Sequence, residues 1–130
     1  MKAETVYLEN KKFRTKARNF EINTDLPPSR GGDDSAPTPS ELLMTGLGAC
    51  TGYFVTTYLN NAGIPADGLS VDLNWEFSEK PRRISKISIN IKNPNGEIGK
   101  RKMAAIKAAQ YCTVHNTLSS KPEISITIDE

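Results

Sequence analysis

The sequence predicts an α+β fold in which helices pack on antiparallel sheet. Three observations carry this. Leu69, Val71, Leu73, Trp75 and Phe77 alternate without fault against Ser70, Asp72, Asn74, Glu76 and Ser78, the period of a half-buried strand. A long apolar segment after Thr38 has the start signal of a helix. Along the chain the patterns read βββ-α-ββ-α-β, which favours antiparallel sheet with helices laid against it over a parallel βαβ series.

The first element is a hairpin. Val6 and Leu8 face one way, Tyr7 and Glu9 the other, and Asn10-Lys11-Lys12 breaks the pattern. Phe13, Thr15 and Ala17 then oppose Arg14, Lys16 and Arg18, and Phe20 and Ile22 extend the sheet by a further short strand. From about Asp25 to Pro37 the chain is loop, punctuated by Pro27-Pro28, Gly31-Gly32 and Asp33-Asp34.

Thr38-Pro39-Ser40-Glu41 is a capping box with proline at the first helical position. The helix is expected to run to about Asn61, where Asn60-Asn61-Ala62-Gly63 supplies a stop. It is apolar nearly all round, which predicts burial on most sides. Gly46, Gly48 and Gly52 each cost a helix interior about 1 kcal/mol, so another backbone is expected to come close.

Glu79-Lys80-Pro81-Arg82 turns the chain, and Ile87, Ile89 and Ile91 form the antiparallel partner of the strand around Trp75. A second helix is expected from about Glu97 to Tyr111, with Ile98, Ala105, Ala109 and Cys112 on one stripe. A short helix over Thr113 to Leu118 and a last strand at Ile124, Ile126 and Ile128 complete the chain.

A length of 130 residues suits a single domain over 1-130, and 37% hydrophobic content suffices for a core. Seventeen basic against 15 acidic residues give a net charge of +2, with no push toward nucleic acid or an anionic membrane. Met1-Lys2-Ala3-Glu4-Thr5 has no apolar h-region, and no run of about 18 apolar residues reaches the length of a membrane span. The expected compartment is the cytoplasm, where thiols are kept reduced.

Cys50 lies mid-way along the long helix and Cys112 at the end of the second. There is no CxxC, and His115 is the only histidine, so a zinc site would lack a fourth ligand; no metal or cofactor is expected. Free cysteines are often small buried hydrophobes. A permanent disulfide would close a loop of about 60 residues and add on the order of 4 kcal/mol, against the cytoplasmic expectation. A redox pair is the fourth alternative.

The run Pro37-Thr38-Pro39-Ser40-Glu41-Leu42-Leu43-Met44-Thr45-Gly46-Leu47-Gly48-Ala49-Cys50 resembles the central helix of the OsmC/Ohr family, and Gln110-Tyr111-Cys112-Thr113-Val114 resembles its second cysteine segment. Strand order and the Gly31-Gly32-Asp33 loop agree. The resemblance implies an intertwined homodimer, with sheets wrapped around two long central helices. It implies thiol-dependent reduction of organic hydroperoxides, with Cys50 attacking, Cys112 resolving, and an external dithiol as reductant. An apolar pocket lined by residues such as Leu47, Tyr53, Phe54 or Trp75 would suit an alkyl hydroperoxide.

The Cys50 thiolate needs a stabilising partner. Cys50 lies about 18 Å along its helix, beyond the first turn over which the dipole acts. Peroxidase members use an arginine from the N-terminal strands, where Arg14 and Arg18 stand here. They also carry a glutamate ten residues before the first cysteine, and this chain has Ser40 there. Glu41, one position on, points about 100° away and reads as a capping residue. His115 is placed to serve as a base or proton donor near Cys112. The alternative function, favoured by Ser40, is a binding protein for a small apolar or thiol-reactive ligand with little or no turnover.

Overall fold

The N-terminal alternation becomes a three-stranded antiparallel sheet in the computed structural model, which describes residues 1–129. Strands β1 (Ala3–Glu9), β2 (Lys12–Ala17) and β3 (Phe20–Thr24) lie in the order β1-β2-β3. Tyr7 pairs with Phe13, their rings 5.5 Å apart, and Thr5 pairs with Thr15 through a 2.8 Å hydroxyl hydrogen bond. Such cross-strand pairs fix the register.

The loop that follows is organised by one carboxylate. Asp25 is fully buried, and its oxygens accept from the amides of Leu26, Asp33 and Ser35 and from the Ser35 hydroxyl at 2.6 Å. The Ser35 hydroxyl bond, with the three amides, outweighs burial and lowers its pKa to about 2. Gly32 is required here, since a Cβ would lie 1.8 Å from the Leu26 carbonyl oxygen.

Helix α1 (Pro39–Asn61) starts as its sequence dictates. Thr38 Oγ1 accepts from the Glu41 amide at 3.2 Å, and the Glu41 carboxylate accepts from the Thr38 amide at 3.4 Å. Its buried stripe is Met44, Leu47, Thr51, Val55 and Leu59. Val55 and Leu59 are fully buried, each worth about 1.5–3 kcal/mol. The expectation of burial on most sides is corrected: Leu43 is 43% and Tyr53 65% exposed. By length and composition alone α1 reaches a membrane-span threshold, with a mean hydropathy of 1.2 over an 18-residue window, as a core helix also can.

Strands β4 (Ser70–Ser78) and β5 (Arg83–Lys92) form an antiparallel pair in which Val71, Leu73 and Trp75 oppose Ile91, Ile89 and Ile87. This apolar face is the close neighbour that the helix glycines require. A Cβ on Gly48 would meet Leu73 Cδ1 at 2.7 Å, and one on Gly52 would meet Val71 Cγ2 at 3.5 Å. What comes close is therefore side chains of β4 and not another backbone, and nothing among the described residues lies within 4 Å of a Cβ on Gly46.

The second helix starts later than expected. A 3₁₀ turn at Gly99–Arg101 leads into α2 (Lys102–Ala109). Gly99 has φ +51°, outside helical space, which stops a helix from beginning at Glu97. Helix α3 (Thr113–Ser119) follows as expected. The last strand is corrected: Ile124, Ile126 and Ile128 form no strand among the described residues and are 77%, 88% and 86% exposed. Alternation alone does not make a strand without a neighbour to complete its hydrogen bonds. The chain divides into two compact units, Met1–Thr45 and Gly46–Glu130.

Candidate thiol site

The two cysteines, far apart in sequence, meet within the second unit. Cys50 is half-buried on α1, next to Thr51 of the buried stripe. Cys112 is fully buried in the short link between α2 and α3. Both are free thiols, and each lies near enough to the other to shift its acidity.

The link geometry comes from α3. Its first three amides have no carbonyl partner inside the helix, and the first intrahelical bond runs from the Asn116 amide to the Cys112 carbonyl at 2.9 Å. Cys112 occupies the N-cap with φ −54° and ψ 126°, and its Sγ accepts from the His115 amide at 3.3 Å. A sulfur thus does what a serine or aspartate oxygen usually does at this position. The Val114 and Thr113 amides act on Cys50.

Burial pushes the Cys50 thiol up, but the Cys112 thiol and the Val114 and Thr113 amides together outweigh it and hold Cys50 below its ordinary value. Cys112 moves the other way. Burial and the neighbouring Cys50 raise it, and the His115 and Val114 amides do not offset them. Cys50 is therefore the more acidic of the two. The chemistry open to it is nucleophilic attack by a half-exposed thiolate, followed by closure onto an adjacent thiol.

The other sequence candidates are placed as follows. Arg14, on β2, donates from Nε to Asn23 Oδ1 at 3.1 Å and lies 3.9 Å from Glu21 Oε2. Arg18 sits in the β2–β3 turn with its guanidinium 5.0 Å from the Phe20 ring centroid. Ser40 lies in the first turn of α1, where Glu41 is committed to the cap. His115 is half-buried on α3.

Of the residues expected to line an apolar pocket, Leu47 is buried in the core, and Tyr53 is exposed and packs edge-on against Phe54 at 5.1 Å. A cleft of about 230 Å³ lies beside Thr51, with walls from β5, α2 and α3. Sequence reasoning also missed Asp25, whose only signal was its place at the head of a Gly- and Asp-rich loop, and the amides of α3. A cysteine is not a residue that announces an N-cap.

The sequence model described as OsmC-like protein matches residues 32–127, so the chain belongs to the OsmC-like family. A protein of Psychrobacter arcticus, a putative osmotic stress induced and detoxification response protein, is similar with a TM-score of 0.80 at 23% identity, over 88% of this chain and 85% of that one. The OsmC-like protein of Mycoplasma pneumoniae is similar with a TM-score of 0.74 at 21% identity, over 92% of this chain and 87% of that one. An organic hydroperoxide resistance protein of Elizabethkingia anophelis, with thiocyanate bound, gives a TM-score of 0.73 at 19% identity, over 92% and 87%. No curated protein matches the sequence.

Proposed function

We propose that this chain reduces organic hydroperoxides through Cys50 and Cys112 in defence against oxidative stress. What supports the proposal is the proximity of the two thiols at the start of α3, with Cys50 held below and Cys112 above the ordinary thiol value. The Cys50 thiolate attacks one peroxide oxygen, an S–O bond forms as the O–O bond breaks, and the alkoxide leaves as alcohol after taking a proton. Cys112 then attacks the sulfenic sulfur, forming a disulfide and releasing water. An external dithiol returns two electrons and two protons, leaving both cysteines as thiols. Arg14 and Arg18 are the chain's candidates for a cation at the thiolate. The Elizabethkingia anophelis relative, named for organic hydroperoxide resistance, supports the substrate class.

We assign the working form to a cytoplasmic homodimer. The exposed apolar groups on α1, Phe20 and Ile22 on β3, and the isoleucines of the C-terminal segment support a second copy as the surface that covers them. The test is peroxide consumption with a dithiol reductant, comparing an alkyl hydroperoxide with hydrogen peroxide. Turnover with a preference for the alkyl substrate, lost in Cys50→Ser, is expected. No turnover with either substrate, or equal rates in Cys50→Ser, removes the proposal.

A second reading is favoured by Ser40, which stands where peroxidase members carry a glutamate. It is a binding protein for a small apolar or thiol-reactive ligand, in which Cys50 reacts without catalytic turnover. Stoichiometric but not catalytic peroxide loss distinguishes it.

A further inference from the structure

Two loops meet at the open end of the β4–β5 hairpin, where Ser70 pairs with Lys92. Residues 64–69 lead into β4, and residues 93–96 lead out of β5. Two asparagines tie the loops together. Asn93 Nδ2 donates to the Pro65 carbonyl at 2.9 Å and the Gly96 carbonyl at 3.0 Å, and Asn95 Nδ2 donates to the Asp67 carbonyl at 2.7 Å. These contacts all use the amide nitrogen, and Asn93 Oδ1 is buried with no partner among the described residues. A carboxylate, which only accepts, cannot replace either amide.

The residues that follow the two asparagines differ in chemistry. Pro94, after Asn93, has no N–H. Gly96, after Asn95, has one, and no Cβ shields it. Packing requires this glycine: a Cβ would collide with the Pro65 carbonyl oxygen and lie 2.8 Å from Asn93 Nδ2 and 2.9 Å from Ile64 Cγ2. Asn95 is exposed, and the Gly96 amide bonds to no group among the described residues. Every other asparagine precedes a residue that carries a side chain. The clamp therefore places an exposed asparagine directly before a glycine that the fold cannot exchange.

We propose that Asn95 is a site of spontaneous deamidation, and that its modification releases the clamp between the two loops. The Gly96 amide nitrogen, having lost its proton to hydroxide, bonds the Asn95 side-chain carbonyl carbon. The bond from that carbon to Nδ2 breaks, and the nitrogen takes up a proton and leaves as ammonia. Water then opens the succinimide at either carbonyl, leaving aspartate or isoaspartate, with no change of oxidation state. Ring closure draws the side chain away from Asp67, so the clamp slows the reaction and each local opening permits it. Both products set a carboxylate against the Asp67 carbonyl, two acceptors with no proton between them. Isoaspartate also lengthens the main chain just before Gly96, which is held tightly against Pro65.

The test is incubation of the full-length, reduced protein at mildly alkaline pH, followed by peptide mass and by isoaspartyl methyltransferase labelling. Asn95 should be modified first among the asparagines, faster as pH rises, with isoaspartate at that position, while Asn93 stays intact. Asn95→Gln keeps an amide but needs a larger ring to close, so that position should stay unmodified over the same time. Asn95→Asp supplies one product directly. In it, hydrogen exchange at the Leu69 amide, which bonds the Ala66 carbonyl at 3.1 Å, should quicken by about threefold to tenfold, the loss of one hydrogen bond. An Asn95 that outlasts the other asparagines, Asn95→Gln modified as fast as the native chain, or native exchange at Leu69 in Asn95→Asp would each overturn the proposal. Neither thiol takes part, so a failed peroxidase assay leaves this result standing, and the reverse holds.

Discussion

The Cys112 sulfur caps helix α3 by accepting from the His115 amide at 3.3 Å. The same residue thus supplies the second thiol and fixes the helix start whose remaining amides act on the first. The groups that lower Cys50 are the Cys112 thiol first and then the Val114 and Thr113 amides, all more than fifty residues later in the chain.

The first prediction concerns thiol acidity. The rate of Cys50 alkylation should rise with pH about a midpoint below the ordinary thiol value of about 8.5. Cys112→Ala removes the neighbouring thiol, so the midpoint should move up. Alkylation kinetics followed by peptide mass read both, and an unmoved midpoint in Cys112→Ala would show that the neighbouring thiol does not act on Cys50.

Asp25 gives a pH dependence of stability. Its folded pKa of about 2 lies below the ordinary 3.8, so its contribution is fully present above the ordinary value and is lost as pH falls toward 2. The Tm of the native chain should therefore drop between about pH 5 and pH 2.5. Asp25→Asn leaves the Ser35 donors without their carboxylate, so it should lower the Tm at neutral pH and flatten the acid limb. Parallel thermal melts of the two proteins test this.

The capping box at α1 predicts a cost that does not involve the thiols. Thr38→Ala removes the acceptor of the Glu41 amide and should destabilise by about 1 kcal/mol. Urea unfolding checks the value, and Thr38→Ser should recover most of it.

Two glycines of one helix separate packing within the chain from packing between copies. Gly48→Ala places a methyl against Leu73 and should destabilise, as the leucine must move. Gly46 has no atom within 4 Å of such a methyl among the described residues. In an isolated chain Gly46→Ala should stabilise by about 1 kcal/mol through helix propensity alone. Destabilisation by Gly46→Ala, accompanied by a lower dimer fraction in sedimentation, is expected if a second copy lies against this face.

Local chemistry made much of the fold legible in the sequence. The Thr38–Glu41 box placed the start of α1, and strict alternation placed β4 and β5. The segments around Cys50 and Cys112 carried the resemblance to the family to which the chain belongs. What the sequence hid depends on contacts at a distance. Alternation at Ile124, Ile126 and Ile128 promised a strand, but a strand needs a partner edge, and none of the described residues supplies it. Gly99 could have been helical or not until its φ was known. Burial of Asp25 could not be read, because an aspartate in a Gly-rich loop looks the same whether solvated or enclosed by amides. The source of Cys50 acidity was hidden for the same reason: backbone amides carry no sequence signature.

The central claim is that Cys50 and Cys112 act as one redox pair, and stoichiometric oxidation tests it most directly. One equivalent of an alkyl hydroperoxide added to the reduced protein should convert it to a single species lighter by two hydrogens, with a Cys50–Cys112 bond in the peptide map. In Cys112→Ser the reaction should stop at a Cys50 sulfenic acid that dimedone traps. Two thiols left free after the peroxide is added, or oxidation that appears only as disulfides between separate chains, would contradict it.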